Sequence, residues 1–257
     1  MDSANSLANQ VVLITGGSRG IGRAIALRLA RARPAHIVVG YCMNYTAARQ
    51  TVGEITALGV DASMISADVG REEMLAAMFA EVDGRLGRLD IFISNAARTT
   101  FRPVLELNAR NWQKVMDINA RAFLLGSQLA AGLMGRNGGG RIIGISSLGG
   151  RFYVPDYAAL GAAKAVMESL ARYLAVELAA SSINVNVVCG GFVDTASMRL
   201  APDYKRLVAH LEERTPARRL AQPEDLAGIV GFLCSPESDW IRGQTIVADG
   251  GYSLVMG

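Results

Sequence analysis

Short apolar runs alternate with amphipathic stretches along the whole chain of 257 residues. The apolar runs are rich in β-branched residues and end at glycine or polar residues, which is typical of strands. Strands are predicted at 11–15, 36–41, 62–69, 89–96, 140–147, 183–190 and 243–250. Helical spacing of apolar residues predicts helices near 21–32, 47–58, 72–82, 106–133, 157–180 and 224–234. This alternation indicates an α/β fold with a parallel sheet.

The predicted strands also indicate that both faces of the sheet are covered. Most of them are continuous apolar runs, as in parallel sheets that pack between two layers of helices. No repeat, linker or low-complexity stretch divides the chain, so we expect one domain over 1–257 with a doubly wound sheet. Residues 196–216 interrupt the alternation and mix apolar with charged residues. They predict a small helical flap over a substrate.

Composition and charge exclude several classes of protein. The chain is 51% hydrophobic with a net charge of +3, which excludes disorder and gives too weak a field to indicate nucleic-acid binding. Cys42, Cys189 and Cys234 lie far apart without a CxxC pair, so we predict neither a disulfide framework nor a metal site. No apolar run approaches the ~18 residues of a membrane span. Since residues 1–10 also lack a signal-peptide pattern, we expect a cytoplasmic protein without membrane partners.

A glycine-rich loop, TGGSRGIG at 15–22, joins the first predicted strand to the first predicted helix. Glycines there let the backbone turn sharply and approach a pyrophosphate, while the helix N-terminus offers free N–H groups. The glycine spacing is wider than in GxGxxG, but the strand–turn–helix context is the same. The loop therefore predicts a dinucleotide site. Its candidate residues are Gly16, Ser18, Arg19, Gly20, Ile21 and Gly22.

The end of the second predicted strand favours NADPH over NADH. It reads GYCMN at 40–44, without the carboxylate that binds the 2′-hydroxyl of NAD. Arg19, inside the glycine loop, is a candidate for a bidentate contact with a 2′-phosphate. The alternative for Arg19 is an ordinary solvated loop charge.

Further motifs follow the later strands in a recognisable order. They are Asp68-Val69, SNAA (94–97), Asn119 within MDINA, ISS (145–147) and GGFVDT (190–195). Together with the glycine loop they resemble the short-chain dehydrogenase/reductase family along nearly the whole chain. The resemblance implies a Rossmann-type fold and a homotetramer. It also implies that Asn119 is a catalytic residue that supports the active-site helix and its proton relay. The cofactor would be lined by Asp68, Val69, Asn95, Ala96, Gly191, Val193 and Thr195.

The tyrosine–lysine pair departs from the spacing usual in that family. Lys164 is present, but Leu160 stands four residues before it and the nearest tyrosine, Tyr157, stands seven before it. Seven residues turn a helix by about 700°, close to two full turns. Tyr157 and Lys164 are therefore predicted to share one helix face, with the phenol shifted by ~4.5 Å along the axis. That shift suits an α,β-unsaturated thioester, whose hydride-accepting carbon lies two carbons from the carbonyl.

The Tyr-x6-Lys spacing is similar to that of NADPH-dependent enoyl-acyl-carrier-protein reductases of type III. This resemblance implies hydride transfer from NADPH to C3 of a trans-2-enoyl thioester, on acyl carrier protein or coenzyme A, in fatty-acid or polyketide-like synthesis. Tyr157 would donate to the thioester oxygen, and Ser147 would orient the phenol or bond the substrate. Lys164 would hold the ribose and draw the pKa of the phenol towards neutrality. Two alternatives stay open: a 3-oxoacyl or other carbonyl reductase, and a catalytically silent NADP-binding scaffold.

Overall fold

The computed structural model describes residues 7–195, 198–200 and 203–255. The strands are β1 (Val11–Thr15), β2 (His36–Tyr41), β3 (Asp61–Ser66), β4 (Ile91–Ser94), β5 (Gly140–Ser147), β6 (Ile183–Gly190) and β7 (Thr245–Ala248). The helices are α1 (Gly20–Ala30), α2 (Tyr45–Ala57), α3 (Glu72–Leu86), α4 (Ala109–Met116), α5 (Ala122–Arg136), α6 (Ala158–Glu177), α7 (Tyr204–Arg214) and α8 (Pro223–Leu233). The strands form one parallel sheet in the order β3-β2-β1-β4-β5-β6-β7. The predicted doubly wound sheet is confirmed.

Different helices cover the two faces of the sheet. Val12 and Ile14 of β1 belong to a core that also contains residues of α1, α2 and α8. Leu13, between them, belongs to the core shared with α3, α5 and α6. Because neighbouring residues of a strand point to opposite faces, each must be apolar when both faces are buried. This explains the continuous apolar runs in the sequence.

Three strands are shorter than the sequence pattern predicts, because polar residues at their ends turn out of the sheet. The run predicted over 89–96 forms a strand only at Ile91–Ser94. The run predicted to end at residue 69 stops at Ser66, and the Asp68 carboxylate accepts a hydrogen bond of 3.0 Å from the Gly70 N–H. The run predicted to end at residue 250 stops at Ala248. Carboxyl ends that open into turns are where such sheets bind ligands.

The helix predicted over 106–133 is divided in two and ends later. The Asn108 side chain caps α4 by accepting from the Asn111 N–H at 2.9 Å. A π-helical turn at Asp117–Arg121 then separates α4 from α5, which continues to Arg136. Such wider turns occur mostly at functional sites.

The predicted flap is partly described. It contains a short 3-10 turn at Met198–Leu200 and the helix α7, and it lies between β6 and α8. The Asp194 carboxylate ties both pieces to the end of β6, since it accepts from Arg199 Nε at 2.9 Å and from the Tyr204 hydroxyl at 3.0 Å. Residues 196, 197, 201 and 202 of the predicted flap lie outside the described residues.

The described ranges contain no helix that is both long and apolar enough to cross a bilayer. They also contain no group of three or more His, Cys, Asp or Glu side chains arranged to hold a metal ion. All three cysteines are free thiols.

Close packing between α5 and the sheet yields a stability prediction. A Cβ atom at Gly126 of α5 would lie 2.8 Å from Cζ of Phe92, whereas one at Gly132 of the same helix would meet nothing within 4 Å. We expect Gly126→Ala to lower the free energy of unfolding by about 1–3 kcal/mol through overpacking. Gly132→Ala, the matched control, should raise it by up to about 1 kcal/mol through helix propensity. Urea denaturation measures both, and equal effects of the two variants would contradict this packing.

Candidate active site

The candidate site lies at the carboxyl edge of the sheet, where the strand order reverses. β1 pairs with β2 on one side and with β4 on the other. The connections after β1 and β4 therefore diverge and leave a crevice between them, which is the usual ligand site of open α/β sheets. The predicted site residues come from the segments that follow β1, β3, β4, β5 and β6, and all of these segments leave the sheet at this edge.

The glycine loop after β1 has no room for side chains. Gly16 and Gly20 have φ angles of +65° and +53°, which favour glycine. A Cβ at Gly16 would lie 2.9 Å from Cα of Ala96, and one at Gly22 would collide with the Gly16 carbonyl oxygen. The loop opens directly into the N-terminus of α1 at Gly20. Bare backbone leading into a helix N-terminus fits the pyrophosphate of a dinucleotide.

Hydrogen bonds join the glycine loop to the end of β4. The Asn95 side-chain amide donates to the carbonyl oxygens of Thr15 and Gly16, at 3.0 Å each. The Thr15 hydroxyl oxygen accepts from the N–H groups of Asn95 and Ala96, at 3.1 and 3.2 Å. Asn95 and Ala96, predicted to line the cofactor, thus lie directly beside the predicted pyrophosphate loop.

The remaining predicted cofactor residues belong to the loop itself or follow β3 and β6. Thr195 faces it, since a Cβ at Gly20 would be 3.8 Å from the Thr195 methyl group. Gly191 passes close to Asp249, and the backbone of Val193 forms a parallel bridge to Ala221. Of the other predicted residues, Asp68 and Ile21 are half-buried, Ser18 is buried and Arg19 is exposed. Val69 packs against the core on the α3 side of the sheet.

The end of β2 carries no acid. Met43 is 85% exposed, and the Asn44 side chain is occupied as the cap of α2, where it accepts from the Ala47 N–H at 3.0 Å. Exposed Arg19, at the start of α1, is the predicted phosphate ligand in this part of the crevice. Residues 40–44 themselves supply no carboxylate that would repel a 2′-phosphate, whereas Asp68, after β3, acts electrostatically on Cys42.

Tyr157 lies immediately before α6 rather than within it. Its carbonyl oxygen accepts from the Gly161 N–H at 2.8 Å, as in a first helical turn, and its hydroxyl donates to the Ser147 hydroxyl oxygen at 3.2 Å. The helix predicted over 157–180 therefore begins one residue late and ends at Glu177. The structure nevertheless brings the predicted phenol and the predicted serine together.

Lys164 is buried, with 4% of its surface exposed, and points at the same end of β5 as the phenol. Its Nζ donates to the Ile145 carbonyl oxygen at 2.7 Å, two residues before Ser147. Burial lowers the pKa of this amine to about 8. Both members of the Tyr-x6-Lys pair thus bond to the last three residues of one strand.

The prediction that Lys164 lowers the pKa of Tyr157 is wrong. Burial raises the pKa of Tyr157, and the hydrogen bond with Ser147 offsets this only in part. Lys164 does not act on the phenol here, because its ammonium bonds the Ile145 carbonyl. At neutral pH the hydroxyl is therefore a protonated hydrogen-bond donor.

Two features explain why the phenol lies at residue 157. Leu160, at the position four residues before Lys164, is 6% exposed and packs in a small apolar cluster with Val115 and Ala163. The Tyr157 ring lies against the backbone of Gly149, where any Cβ would collide with it. Phe101 contacts the same ring, with centroids 6.0 Å apart.

Asn119 lies in the π-helical turn and is 1% exposed. Its amide donates to the carbonyl oxygens of Arg98 and Val115, at 2.8 and 2.9 Å. Its side-chain carbonyl oxygen is buried and has no partner among the described residues. Asn119 therefore holds the segment after β4 against α4.

Sequence reasoning missed three residues of this region. Glu168 and Arg151 form an ion pair beside the candidate site, and Phe101 lies next to the phenol. Only Glu168 had a detectable signal, since a carboxylate stands at a core position of an apolar helix, four residues after Lys164. The other two residues come from loops whose course the sequence pattern does not define.

Comparisons with known proteins find relatives along nearly the whole chain. A family model described as "Enoyl-(Acyl carrier protein) reductase" matches residues 16–253. The chain is 42% identical to 1-cyclohexenylcarbonyl-CoA reductase from Streptomyces collinus, over 96% of this chain and 88% of that protein. It is 34% identical to 3-oxoacyl-[acyl-carrier-protein] reductase from Synechocystis sp., over 96% and 98% of the two chains.

Solved structures of similar proteins share the fold of this chain. A short-chain type dehydrogenase/reductase from Mycobacterium marinum superposes with a TM-score of 0.88 at 31% identity, over 98% of each chain. A protein from Beutenbergia cavernae, assigned provisionally as an NAD(P)-dependent gluconate 5-dehydrogenase, superposes with a TM-score of 0.91 at 32% identity. That likeness covers 98% of this chain and all of the other, whose structure contains NADP at low occupancy.

The buried amine yields a prediction on pH and stability. The pKa of Lys164 falls from an ordinary 10.5 to about 8 on folding, so the unfolded chain binds more protons between these values. Relative to Lys164→Met, the wild type should gain stability as the pH rises from about 8 to 10.5, by up to about 3 kcal/mol. Urea denaturation of both proteins across this range measures the difference in their free energies of unfolding. The contributions of other titrating groups are common to both proteins and cancel. A stability difference between the two proteins that does not change with pH would contradict the lowered pKa of Lys164.

Proposed function

The chain belongs to the short-chain dehydrogenase/reductase family, and we propose that within it the protein reduces a trans-2-enoyl thioester with NADPH. Family membership makes the chain an oxidoreductase that uses a nicotinamide cofactor. The proposed reaction adds hydride to C3 and a proton to C2, giving a saturated acyl thioester and NADP⁺. The thioester is carried on acyl carrier protein or coenzyme A, in fatty-acid or polyketide-like synthesis.

The position of the phenol carries this proposal. Tyr157 stands seven residues before Lys164, donates to Ser147, and leaves the usual tyrosine position to buried Leu160. A donor displaced from the family's usual place suits a substrate whose carbonyl oxygen lies away from the carbon that accepts hydride. The relative from Streptomyces collinus, named as a reductase of an α,β-unsaturated CoA thioester, supports the same reaction class.

The chain's own side chains stabilise charge on the substrate. When bound, NADPH supplies the hydride that adds to C3. The Tyr157 hydroxyl, protonated at neutral pH, donates to the thioester oxygen where negative charge develops. Ser147 holds that hydroxyl at 3.2 Å, and Lys164 is oriented by the Ile145 carbonyl to bind the ribose hydroxyls. The exposed ring of Phe101 beside the phenol offers an apolar wall to the acyl group.

We further propose NADPH as the preferred cofactor and a cytoplasmic homotetramer as the assembly. Met43 and the capped Asn44 leave the end of β2 without an acid, and exposed Arg19 is available to a 2′-phosphate. Apolar side chains exposed on α6, Tyr173 at 65% and Val176 at 78%, support pairing of this helix with a second copy.

A carbonyl reductase is the second candidate. The relative from Synechocystis is named as a reductase of 3-oxoacyl groups, and the Tyr157–Ser147 pair presents hydroxyls that a ketone oxygen can also accept from. Both candidates predict NADPH oxidation, but with different substrates.

The two candidates separate in one assay. Purified protein is incubated with NADPH and either crotonyl-CoA or acetoacetyl-CoA, and the absorbance of NADPH is followed. We expect oxidation with crotonyl-CoA at a rate at least about tenfold above that with acetoacetyl-CoA, and weaker activity with NADH. Oxidation with acetoacetyl-CoA alone favours the carbonyl reductase. NADPH binding without turnover of either substrate favours a catalytically silent scaffold.

Removing one hydroxyl tests the assignment of the phenol. Tyr157→Phe should lower kcat by roughly 100-fold or more, because the donor to the developing oxyanion is lost. NADPH affinity, measured by fluorescence titration, should change little. Tyr153→Phe is the matched control, since the Tyr153 side chain is 90% exposed and its loss should leave kcat within about twofold. If the control loses activity and Tyr157→Phe does not, the catalytic phenol has been misassigned.

A further inference from the structure

A buried carboxylate lies next to the proposed catalytic residues and has no part in the mechanism above. Glu168 of α6 is 6% exposed. One of its oxygens accepts from the Ser146 hydroxyl at 2.7 Å, and the other accepts from Arg151 Nε at 2.8 Å. Burying a carboxylate is costly unless it is paired and hydrogen-bonded. This carboxylate meets both conditions, so its contacts offset the cost of burial. The same contacts link three segments: α6, the end of β5 and the turn that contains Arg151.

The three segments are those that position the phenol and the amine. Glu168 lies one helical turn after Lys164, on the same face of α6. Ser146 lies between Ile145 and Ser147 at the end of β5, so consecutive residues of this strand bond to Lys164, Glu168 and Tyr157. The end of β5 and the start of α6 are thus held together at three points.

Arg151 closes the turn that covers this contact. Residues 148–151, named here the 148–151 turn, connect β5 towards α6, and Arg151 is their last member. The turn packs on the proposed catalytic groups: Gly149 lies against the Tyr157 ring, and a Cβ at Gly150 would lie 3.2 Å from Cβ of Lys164. The Arg151–Glu168 ion pair therefore fixes the backbone that borders both side chains.

Glu168 is also the anion that acts on the buried amine. The groups that raise the pKa of Lys164 are Cys189 of β6 and Glu168 of its own helix, against the larger lowering by burial. Burial raises the pKa of Cys189 to about 12, so this thiol is neutral near pH 8. Arg151, the ion-pair partner of Glu168, lowers the pKa of Cys189, and Asp249, after β7, raises it.

We propose that Glu168 is a positioning residue: with Arg151 it fixes the 148–151 turn against Tyr157, and its charge stabilises the Lys164 ammonium. Its effect on turnover rests on the proposed function, whereas its effect on Lys164 does not. A residue that only stabilised the fold would leave the protonation of Lys164 unchanged. Charge removal at Glu168 and at Arg151 should move that protonation in opposite directions.

Lysine labelling reads this protonation directly, because the chain has only three lysines, Lys114, Lys164 and Lys205. Protein labelled with [13Cε]-lysine is titrated by nuclear magnetic resonance, and Lys164→Met identifies the signal of interest. Glu168→Gln should lower the Lys164 midpoint by about half a pH unit or more, since a neighbouring anion is lost. Arg151→Gln should raise the midpoint, since a neighbouring cation is lost. The two exposed lysines provide internal reference signals.

Activity gives the second readout. With crotonyl-CoA and NADPH, Glu168→Gln should lower kcat by roughly tenfold or more and move the alkaline fall of kcat/KM to lower pH. Glu168→Asp, which keeps the charge, should recover part of both effects. Glu177→Gln is the matched control, because Glu177 lies exposed at the end of the same helix. Circular dichroism verifies that each variant is folded, and Arg151→Gln tests the proposal if Glu168→Gln does not fold.

The outcomes distinguish the two proposals. Lys164 midpoints that stay fixed in both variants, or move the same way, overturn the positioning role even if crotonyl-CoA is reduced. Opposite shifts without any reduction of crotonyl-CoA support the role of Glu168 on Lys164 and contradict the proposed function instead.

Discussion

The short contact between the end of β5 and the start of α6 is the constraint on which the site depends. Lys164 is nine-tenths or more buried, and its amine bonds a backbone carbonyl of the strand at 2.7 Å. A buried ammonium is tolerated only where such partners exist. The strand therefore fixes the rotation of the helix about its axis, and with it the direction of the phenol. The hydroxyls of Tyr157 and Ser147 meet at the same junction.

The unusual spacing of the phenol follows from packing rather than from the helix alone. Leu160 occupies the usual tyrosine position and packs in an apolar cluster with residues of α4 and α6. The ring of Tyr157 occupies the space left by Gly149, and its hydroxyl reaches Ser147 from outside the first turn. The donor thus lies just before α6 rather than within it, and this displacement is the basis of the enoyl-thioester reaction proposed above.

Much of the fold could be predicted from the sequence, because each strand buries both faces and so carries a local apolar signal. The glycine loop was also predictable from local sequence, because its conformation excludes side chains. The break at Asp117–Arg121 and the pairing of Arg151 with Glu168 were not predictable in this way. Both depend on contacts between segments distant in the chain. The raised pKa of Tyr157 was missed for the same reason, as its burial comes from Gly149 and Phe101.

The hydrogen bonds of Asn95 and Thr15 have a consequence for how this scaffold can diversify. They join the glycine loop to the end of β4 through side chain and backbone together. The floor of the crevice is therefore one rigid unit, and a substitution there disturbs both of its walls. Residues 42–44, after β2 at the rim of the crevice, are exposed and take no part in these hydrogen bonds. With the coenzyme bound as proposed above, substitutions at residues 42–44 can change selectivity between the two nicotinamide coenzymes while the floor stays unchanged.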